Sequence, residues 1–191
     1  MAGRYIISFD IGLKNLAYCI MHQKADGTAE VRNLELVNLG CRKSDTQRII
    51  DAVIDMLDTI LYMELDSSVP LVVLIESQMT SLMKCIQTAI NTFFKVTSKY
   101  NSMDVATKYM SAKHKLNLIK RFPDFETARE PCASSYKNNK LDSIEFALWH
   151  LEAKAEDTKT LERIKKEKKQ DDLADAYLMT LYFVETEPLP K

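Results

Sequence analysis

Short apolar runs separated by polar turns dominate the first forty residues of the chain. Residues 5–9, 16–21 and 31–39 are mostly apolar, while Gly12 and the segment 25–27 supply turn residues between them. Loops this short join neighbouring antiparallel strands. The pattern therefore predicts an antiparallel three-stranded meander at the start of the fold.

The next stretch changes from strand-like runs to a helical period. Residues 44–47 have the spacing of a capping box, and apolar residues recur at helical intervals between positions 49 and 61. A second fully apolar run, 71–75, then ends at Glu76. A helical crossover can return the chain to the sheet in the same direction as an earlier strand. We therefore expect 71–75 to pair in parallel with the first strand, 5–9.

The second half of the chain is mostly helical in pattern. We predict helices at 81–98, 114–122, 141–156 and 172–184, a strand at 103–110, a mobile loop at 124–139, and a charged linker or frayed helix before the last helix. Together these elements predict an α/β fold in which helices cover both faces of a mixed five-stranded sheet. The length and the 46% hydrophobic content fit a single domain spanning residues 1–191.

Charge is distributed unevenly although the net charge is only −1. Residues 108–170 carry 15 lysines and arginines against 10 acidic residues, whereas the remainder carries 11 against 17. A basic region beside an acidic one is typical of nucleic-acid binding around a carboxylate site. For the mixed run 162–169, a solvated helix face explains the same charges.

The sequence also limits where the protein works. It has no apolar stretch of membrane-spanning length and no secretory signal, so we expect an intracellular protein. The four cysteines are scattered and far from the three histidines, which excludes zinc-finger spacing and predicts reduced, mostly buried thiols.

Carboxylates stand at the ends of the predicted core elements. Asp10 ends the first strand, Glu76 ends the parallel one, and Asp172 and Asp175 share one face of the last helix. Taken singly, each fits a strand-end turn or a favourable charge at a helix N-terminus. Four converging carboxylates, however, repel one another unless divalent cations neutralise them, and hard oxygen ligands suit Mg2+ or Mn2+. Two-metal phosphodiester cleavage uses such a cluster.

Four motifs contain or adjoin these carboxylates: Phe-Asp-Ile-Gly-Leu-Lys-Asn at 9–15, Leu-Ile-Glu-Ser-Gln at 74–78, Ser-Tyr-Lys-Asn-Asn-Lys at 135–140 and Asp-Asp-Leu-Ala-Asp at 171–175. In order and spacing they are similar to the motifs of the poxvirus-type Holliday junction resolvases, which are related to fungal mitochondrial resolvases and bacterial RuvC. Residues 99–134 depart from the pattern. The resemblance implies a ribonuclease H-like fold, a homodimer, and paired symmetric nicking of four-way DNA junctions in recombination and repair.

Transferred residue by residue, the resemblance implies roles for particular side chains. The metal ligands would be Asp10, Glu76, Asp172 and Asp175, with Asp171 as the alternative to Asp172 because it shares a helix face with Asp175. They would hold two Mg2+ ions, replaceable by Mn2+, and cleavage would leave a 5′ phosphate and a 3′ hydroxyl. Lys140, or alternatively Lys137, would support catalysis at the scissile phosphate. DNA contacts would come from Lys14, Gln78, Lys113, Lys115 and Lys137, joined at the phosphates by Lys108, Lys120 and Arg121. Support of Glu76 is the alternative role of Gln78.

Other functions remain as alternatives at this point. The same fold can cleave RNA/DNA hybrids or other branched DNA, and a noncatalytic DNA-binding module would use the acidic residues only as helix caps. A sugar kinase or actin-like ATPase shares the Asp-x-Gly loop, but it needs further glycine-rich phosphate loops, and this chain has only four glycines. The resemblance favours a viral source, which would place the protein at a viral replication site; otherwise we expect the nucleus or mitochondrion.

Overall fold

A five-stranded mixed sheet forms the centre of the computed structural model, which describes residues 3–127, 134–153 and 157–189. The strands are β1 (Arg4–Asp10), β2 (Leu16–Gln23), β3 (Ala29–Val37), β4 (Leu71–Glu76) and β5 (Val105–Met110). Their order across the sheet is β3-β2-β1-β4-β5. The first three strands pair antiparallel, and β4 pairs in parallel with both β1 and β5. The predicted meander and the predicted parallel strand are both confirmed.

Helices cover the two faces of this sheet. They are α1 (Thr46–Glu64), α2 (Ser81–Asn101), α3 (Lys113–Ile119), α4 (Ser135–Ala153), α5 (Thr158–Lys166) and α6 (Gln170–Thr186). The predicted α/β fold class, with a mixed sheet between helices, is therefore confirmed. None of the helices in the described parts of the chain is both long and apolar enough to cross a membrane.

Each strand of the sheet contributes alternate residues to two separate cores. On one face Ile7, Phe9 and Ile75 pack against α1 and α2. On the other face Ile6 and Leu74 pack against α6, which also contacts β2, β3 and the helices α3, α4 and α5. The helix α6 is thus buried along most of its length, and its N-terminal turns lie over the sheet edge where β1 and β4 end.

The start of α1 differs by one residue from the predicted capping box. The cap is Asp45, whose side chain accepts a hydrogen bond from the Arg48 backbone N–H at 3.1 Å, and Ser44 lies outside the helix. Aspartate caps a helix as well as serine does. Starting the helix at Thr46 places its buried residues, Ile49 among them, on the sheet-facing side.

Two predictions for the second half of the chain are wrong in part. The described part of the predicted 124–139 loop includes the first turns of α4, which begins at Ser135 instead of residue 141; residues 128–133 lie outside the described residues. These turns are mostly exposed, so they lack the apolar period of a buried helix. The expected linker before α6 contains the helix α5, which Asp157 caps and whose Ile164 is buried.

Candidate active site

The parallel pairing of β1 and β4 brings two carboxylates to one edge of the sheet. Phe9 pairs with Ile75, so Asp10 and Glu76, the next residue on each strand, end side by side. The chain turns sharply after Asp10. A Cβ atom at Gly12 would lie 2.4 Å from the Asn15 carbonyl oxygen, so only glycine fits this turn without a shift of the backbone.

Lys115 on α3 forms the ionic centre of the site. Its Nζ lies 2.6 Å from Asp175 Oδ2 and 3.5 Å from Glu76 Oε1, and its side chain is only 8% exposed. Lysine is rarely buried unless it is paired. Burial opposes the ammonium form, but the charges of Asp175, Asp10 and Glu76 outweigh it and raise the pKa of Lys115. The lysine therefore acts as an internal counter-ion for three acidic residues.

Asp10 and Glu76 oppose each other's negative charge. Burial raises the pKa of Asp10 well above its usual range, and the charge of Glu76 and a hydrogen bond between the two carboxyls raise it further. Gln78 orients the pair because its Nε2 donates to Glu76 Oε2 at 2.8 Å. The backbone N–H of Gln78 in turn donates to Gln87 Oε1 at 2.9 Å, which ties the loop to α2.

The first turns of α6 supply the remaining carboxylates. Burial raises the pKa of Asp175, although Lys115 opposes that shift. Burial, followed by repulsion from Asp171, also raises the pKa of Asp172. The Oδ2 atom of Asp172 is buried and has no hydrogen-bond partner in the described residues. An unpaired buried acceptor is costly, so this oxygen and the neighbouring carboxylates fit a hard divalent cation.

Asp171, unlike Asp172, forms an ion pair with a lysine. The Nζ of Lys140 forms an ion pair with Asp171 Oδ2 and lies 5.3 Å from the centre of the exposed Tyr136 ring. Burial is the largest single effect and opposes ionisation of Asp171, but the hydrogen bond and the charge of Lys140, together with smaller effects, outweigh it and lower the pKa of this carboxyl. Asp171 is thus engaged by a lysine, whereas Asp172 presents an unpaired oxygen.

The structure gathers most of the predicted site residues but does not arrange them as a finished metal cage. Within residues 3–127, 134–153 and 157–189, no three acidic, histidine or cysteine side chains are positioned to share one ion. Between Glu76 and Asp175 the structure instead places the ammonium group of Lys115. The carboxylates therefore converge on one place, and the ammonium group of Lys115 neutralises part of their charge.

Three of the residues predicted to contact DNA pair with acidic side chains of the protein. We expected Lys115 on the DNA-facing surface, and it is buried; its spacing of three residues from the buried Leu118 on α3 was the available signal. Gln78 is half-buried against Glu76. Lys108 pairs with Glu187 at 2.7 Å near the end of α6.

The other predicted contacts are accessible. Lys14, Lys113 and Lys137 are exposed. Lys14 follows the turn after Asp10, Lys113 begins α3 two residues before Lys115, and Lys137 lies in the first turn of α4, next to Lys140. Each of these lysines is therefore within four residues of a side chain in the site, namely Asp10, Lys115 or Lys140.

Comparisons with known proteins find similarity in structure but not in sequence. No protein-family model and no curated protein matches the chain. The yeast mitochondrial Holliday junction resolvase Ydc2 superposes with a TM-score of 0.68 at 15% identity, covering 94% of this chain and 77% of that one. RuvC of Thermus thermophilus gives a TM-score of 0.59 at 11% identity, covering 97% and 99%. The resemblance is confirmed at the level of the fold: this chain has the ribonuclease H-like fold of Holliday junction resolvases.

Proposed function

We propose that the protein is a divalent-metal-dependent endonuclease that resolves four-way DNA junctions. One observation carries this proposal: Asp10, Glu76 and Asp175 converge around a buried lysine at one edge of a sheet whose fold matches two resolvases. Acidic groups that repel one another destabilise a fold, so their convergence needs a functional explanation.

The residues that would hold the cations are Asp10, Glu76, Asp172 and Asp175. The unpaired Oδ2 of Asp172 supports this set, and the ion pair of Asp171 with Lys140 favours Asp172 over Asp171. Two bound Mg2+ or Mn2+ ions would supply positive charge at the scissile phosphate, an acidified water and stabilisation of the leaving 3′ oxygen.

The protein's own side chains prepare this site. Gln78 holds the carboxylate of Glu76 in one orientation, and Lys115 reduces the repulsion between Glu76 and Asp175. Asp171 holds the ammonium group of Lys140 beside the acidic cluster, where it would stabilise the charge that grows on the phosphate during cleavage. Lys137 is the exposed alternative to Lys140.

Selectivity for a junction would come from a two-fold homodimer. Two sites related by symmetry match two symmetric strands of a four-way junction. The candidate surface is an apolar groove of about 650 Å3 between α1 and α2, where Ile54 is 41% and Val96 49% exposed. A second copy of the chain would bury these apolar side chains. Lys14, Lys113 and Lys137 would contact DNA phosphates, so binding should weaken as salt rises.

The test compares three labelled substrates, a four-way junction, an RNA/DNA hybrid and a linear duplex, with and without Mg2+. We expect symmetric, religatable nicks in the junction alone and only with the metal. Asp175→Asn and Glu76→Gln should bind the junction without cutting it, while the exposed control Glu162→Gln should cut normally. Preferential cleavage of the hybrid would overturn the substrate assignment. Absence of metal-dependent cleavage would indicate a noncatalytic DNA-binding module.

A further inference from the structure

A buried polar cluster joins β1 to α6 directly beneath the carboxylates. The hydroxyl of Thr180 donates to Ser8 Oγ at 2.7 Å, with the Ala176 carbonyl oxygen of its own helix as a longer alternative acceptor at 3.2 Å. The hydroxyl of Ser8 donates to the same carbonyl oxygen at 2.6 Å. Ser8 and Thr180 are completely buried. Cys19, the cross-strand partner of Ser8, is also fully buried and contacts Thr180.

The position of this cluster relates it to the site. Ser8 lies two residues before Asp10 on the same face of β1, because side chains alternate along a strand. Ala176 directly follows Asp175, and Thr180 lies one helical turn further along α6. The hydrogen bonds therefore join the strand and the helix that carry two of the proposed metal ligands. The bond between Ser8 and Ala176 lies within two residues of Asp10 and of Asp175.

Most other contacts between α6 and the sheet are apolar, with Ile6 and Leu74 against Met179 and Phe183. The polar ones, from Arg4 and Lys108 to Glu187, lie just beyond the C-terminus of the helix, at the end far from the carboxylates. Apolar burial is non-directional, so it resists separation of two elements more than it resists a small slide. A hydrogen bond requires defined distances and angles, and an unpaired buried hydroxyl is costly. A slide of α6 would break both bonds that Ser8 makes to the helix.

We propose that Ser8 and Thr180 are positioning residues that set the distance between the carboxylates of β1 and those of α6. This inference deepens the proposed function and rests on it. Mg2+ requires a near-ideal arrangement of its oxygen ligands and tolerates little displacement of them. The two hydroxyls thus determine how tightly the site binds a divalent ion, without contacting the ion or the DNA.

The test measures Mn2+ binding directly, by the loss of the free-ion signal in electron paramagnetic resonance, on Ser8→Ala, Thr180→Val and Thr180→Ser. Thr180→Val nearly keeps the volume of the side chain and removes only the hydroxyl, so the fold should survive. We expect the Mn2+ dissociation constant of Ser8→Ala and of Thr180→Val to rise about 10- to 100-fold. This is the loss of affinity seen in other proteins when a residue that orients a metal ligand is replaced. Thr180→Ser restores the hydroxyl and should bind nearly as the unaltered protein does.

Two controls separate positioning from general stability. Thr97 on α2 is a buried threonine on the opposite face of the sheet, and Thr97→Val should leave Mn2+ binding unchanged. The Mg2+ concentration for half-maximal junction cleavage should rise with the Mn2+ dissociation constant, while junction affinity stays constant. Mn2+ binding unchanged in a folded Thr180→Val, or equally weakened in Thr97→Val, would overturn the inference. Tight Mn2+ binding without junction cleavage by the unaltered protein would instead count against the proposed function alone.

Discussion

The two faces of the central sheet use the same strands for different purposes. Toward α1 and α2, the strands β1 and β4 present fully buried apolar side chains, namely Ile7, Phe9, Val73 and Ile75. Toward α6, the alternate positions of the same strands include Ser8, Asp10 and Glu76. The first face is apolar throughout, whereas the second combines an apolar core with buried polar and charged groups at the ends of the strands. One strand can therefore support mutually repelling carboxylates on one side while its other side stabilises the fold.

The largest difference between the faces should appear on removing one carboxylate. We expect Asp10→Asn to lower the cleavage rate at least about a thousandfold, or about 4 kcal/mol in activation free energy. The free energy of unfolding at neutral pH should not fall, because burial and Glu76 already raise the pKa of Asp10 and oppose its charge. Single-turnover junction cleavage and urea unfolding test this. Cleavage within tenfold of the unaltered rate would contradict it.

A large apolar side chain on the other face should give the opposite result. Phe94 is fully buried between α2 and the sheet, with its ring centre 6.2 Å from that of Phe9. We expect Phe94→Ala to lower the free energy of unfolding by about 3 to 5 kcal/mol while the Mn2+ dissociation constant stays unchanged in the folded protein. Urea denaturation and Mn2+ titration provide the measurements. A change in metal binding without loss of stability would remove the distinction between the faces.

Lys115 stabilises the fold through its ion pairs in the site. The stability lost when it is replaced should therefore depend on pH and on bound metal. In metal-free buffer at about pH 7, we expect Lys115→Met to lose about 3 kcal/mol because buried carboxylates lose their counter-ion. The folded pKa values of Asp10 and Asp175 are raised, so these carboxyls take up protons before unfolded ones do. The variant should therefore regain stability as pH falls toward their ordinary pKa range.

Mg2+ offers a second check on the same variant. Because a bound cation replaces the missing ammonium charge, Mg2+ should stabilise Lys115→Met more than it stabilises the unaltered protein. Thermal unfolding with and without Mg2+, at neutral and acidic pH, measures both effects. An equal loss under all four conditions would show that Lys115 acts through packing alone.

The smallest effect on stability is expected at the exposed groove of the apolar face. Val96→Glu should change the free energy of unfolding by no more than about 0.5 kcal/mol, since the side chain is half-exposed. It should nevertheless convert the proposed dimer to monomers, which sedimentation velocity would detect. A dimer that persists in this variant would exclude the groove between α1 and α2 as the interface.

The sequence correctly predicted those elements whose pattern lies within a short stretch of residues. Asp10 and Glu76 each end an apolar run, and the helical crossover between the runs predicts that they lie side by side, as the parallel pairing of β1 and β4 confirms. The meander and most helices followed from periodicity and turn residues in the same way. The first turns of α4 did not, because exposed polar turns lack an apolar period.

Long-range ionic contacts could not be predicted from the pattern. Lys115 resembles any other lysine in a basic segment, and only the packing of α3 on α6 places its ammonium group beside Asp175. The pairing of Lys140 with Asp171 likewise depends on two helices that are distant in sequence. Which carboxylate of the Asp171–Asp172 pair has an unpaired oxygen was therefore visible only in the folded structure.

The most direct test of the central claim is to locate Mn2+ by anomalous diffraction in crystals of the protein soaked with that ion. We expect strong anomalous density bounded by the carboxylates of Asp10, Glu76 and Asp175, with Asp172 contributing its unpaired oxygen. Density confined to other acidic surface positions at saturating Mn2+, or no density at the ends of β1 and β4, would contradict it.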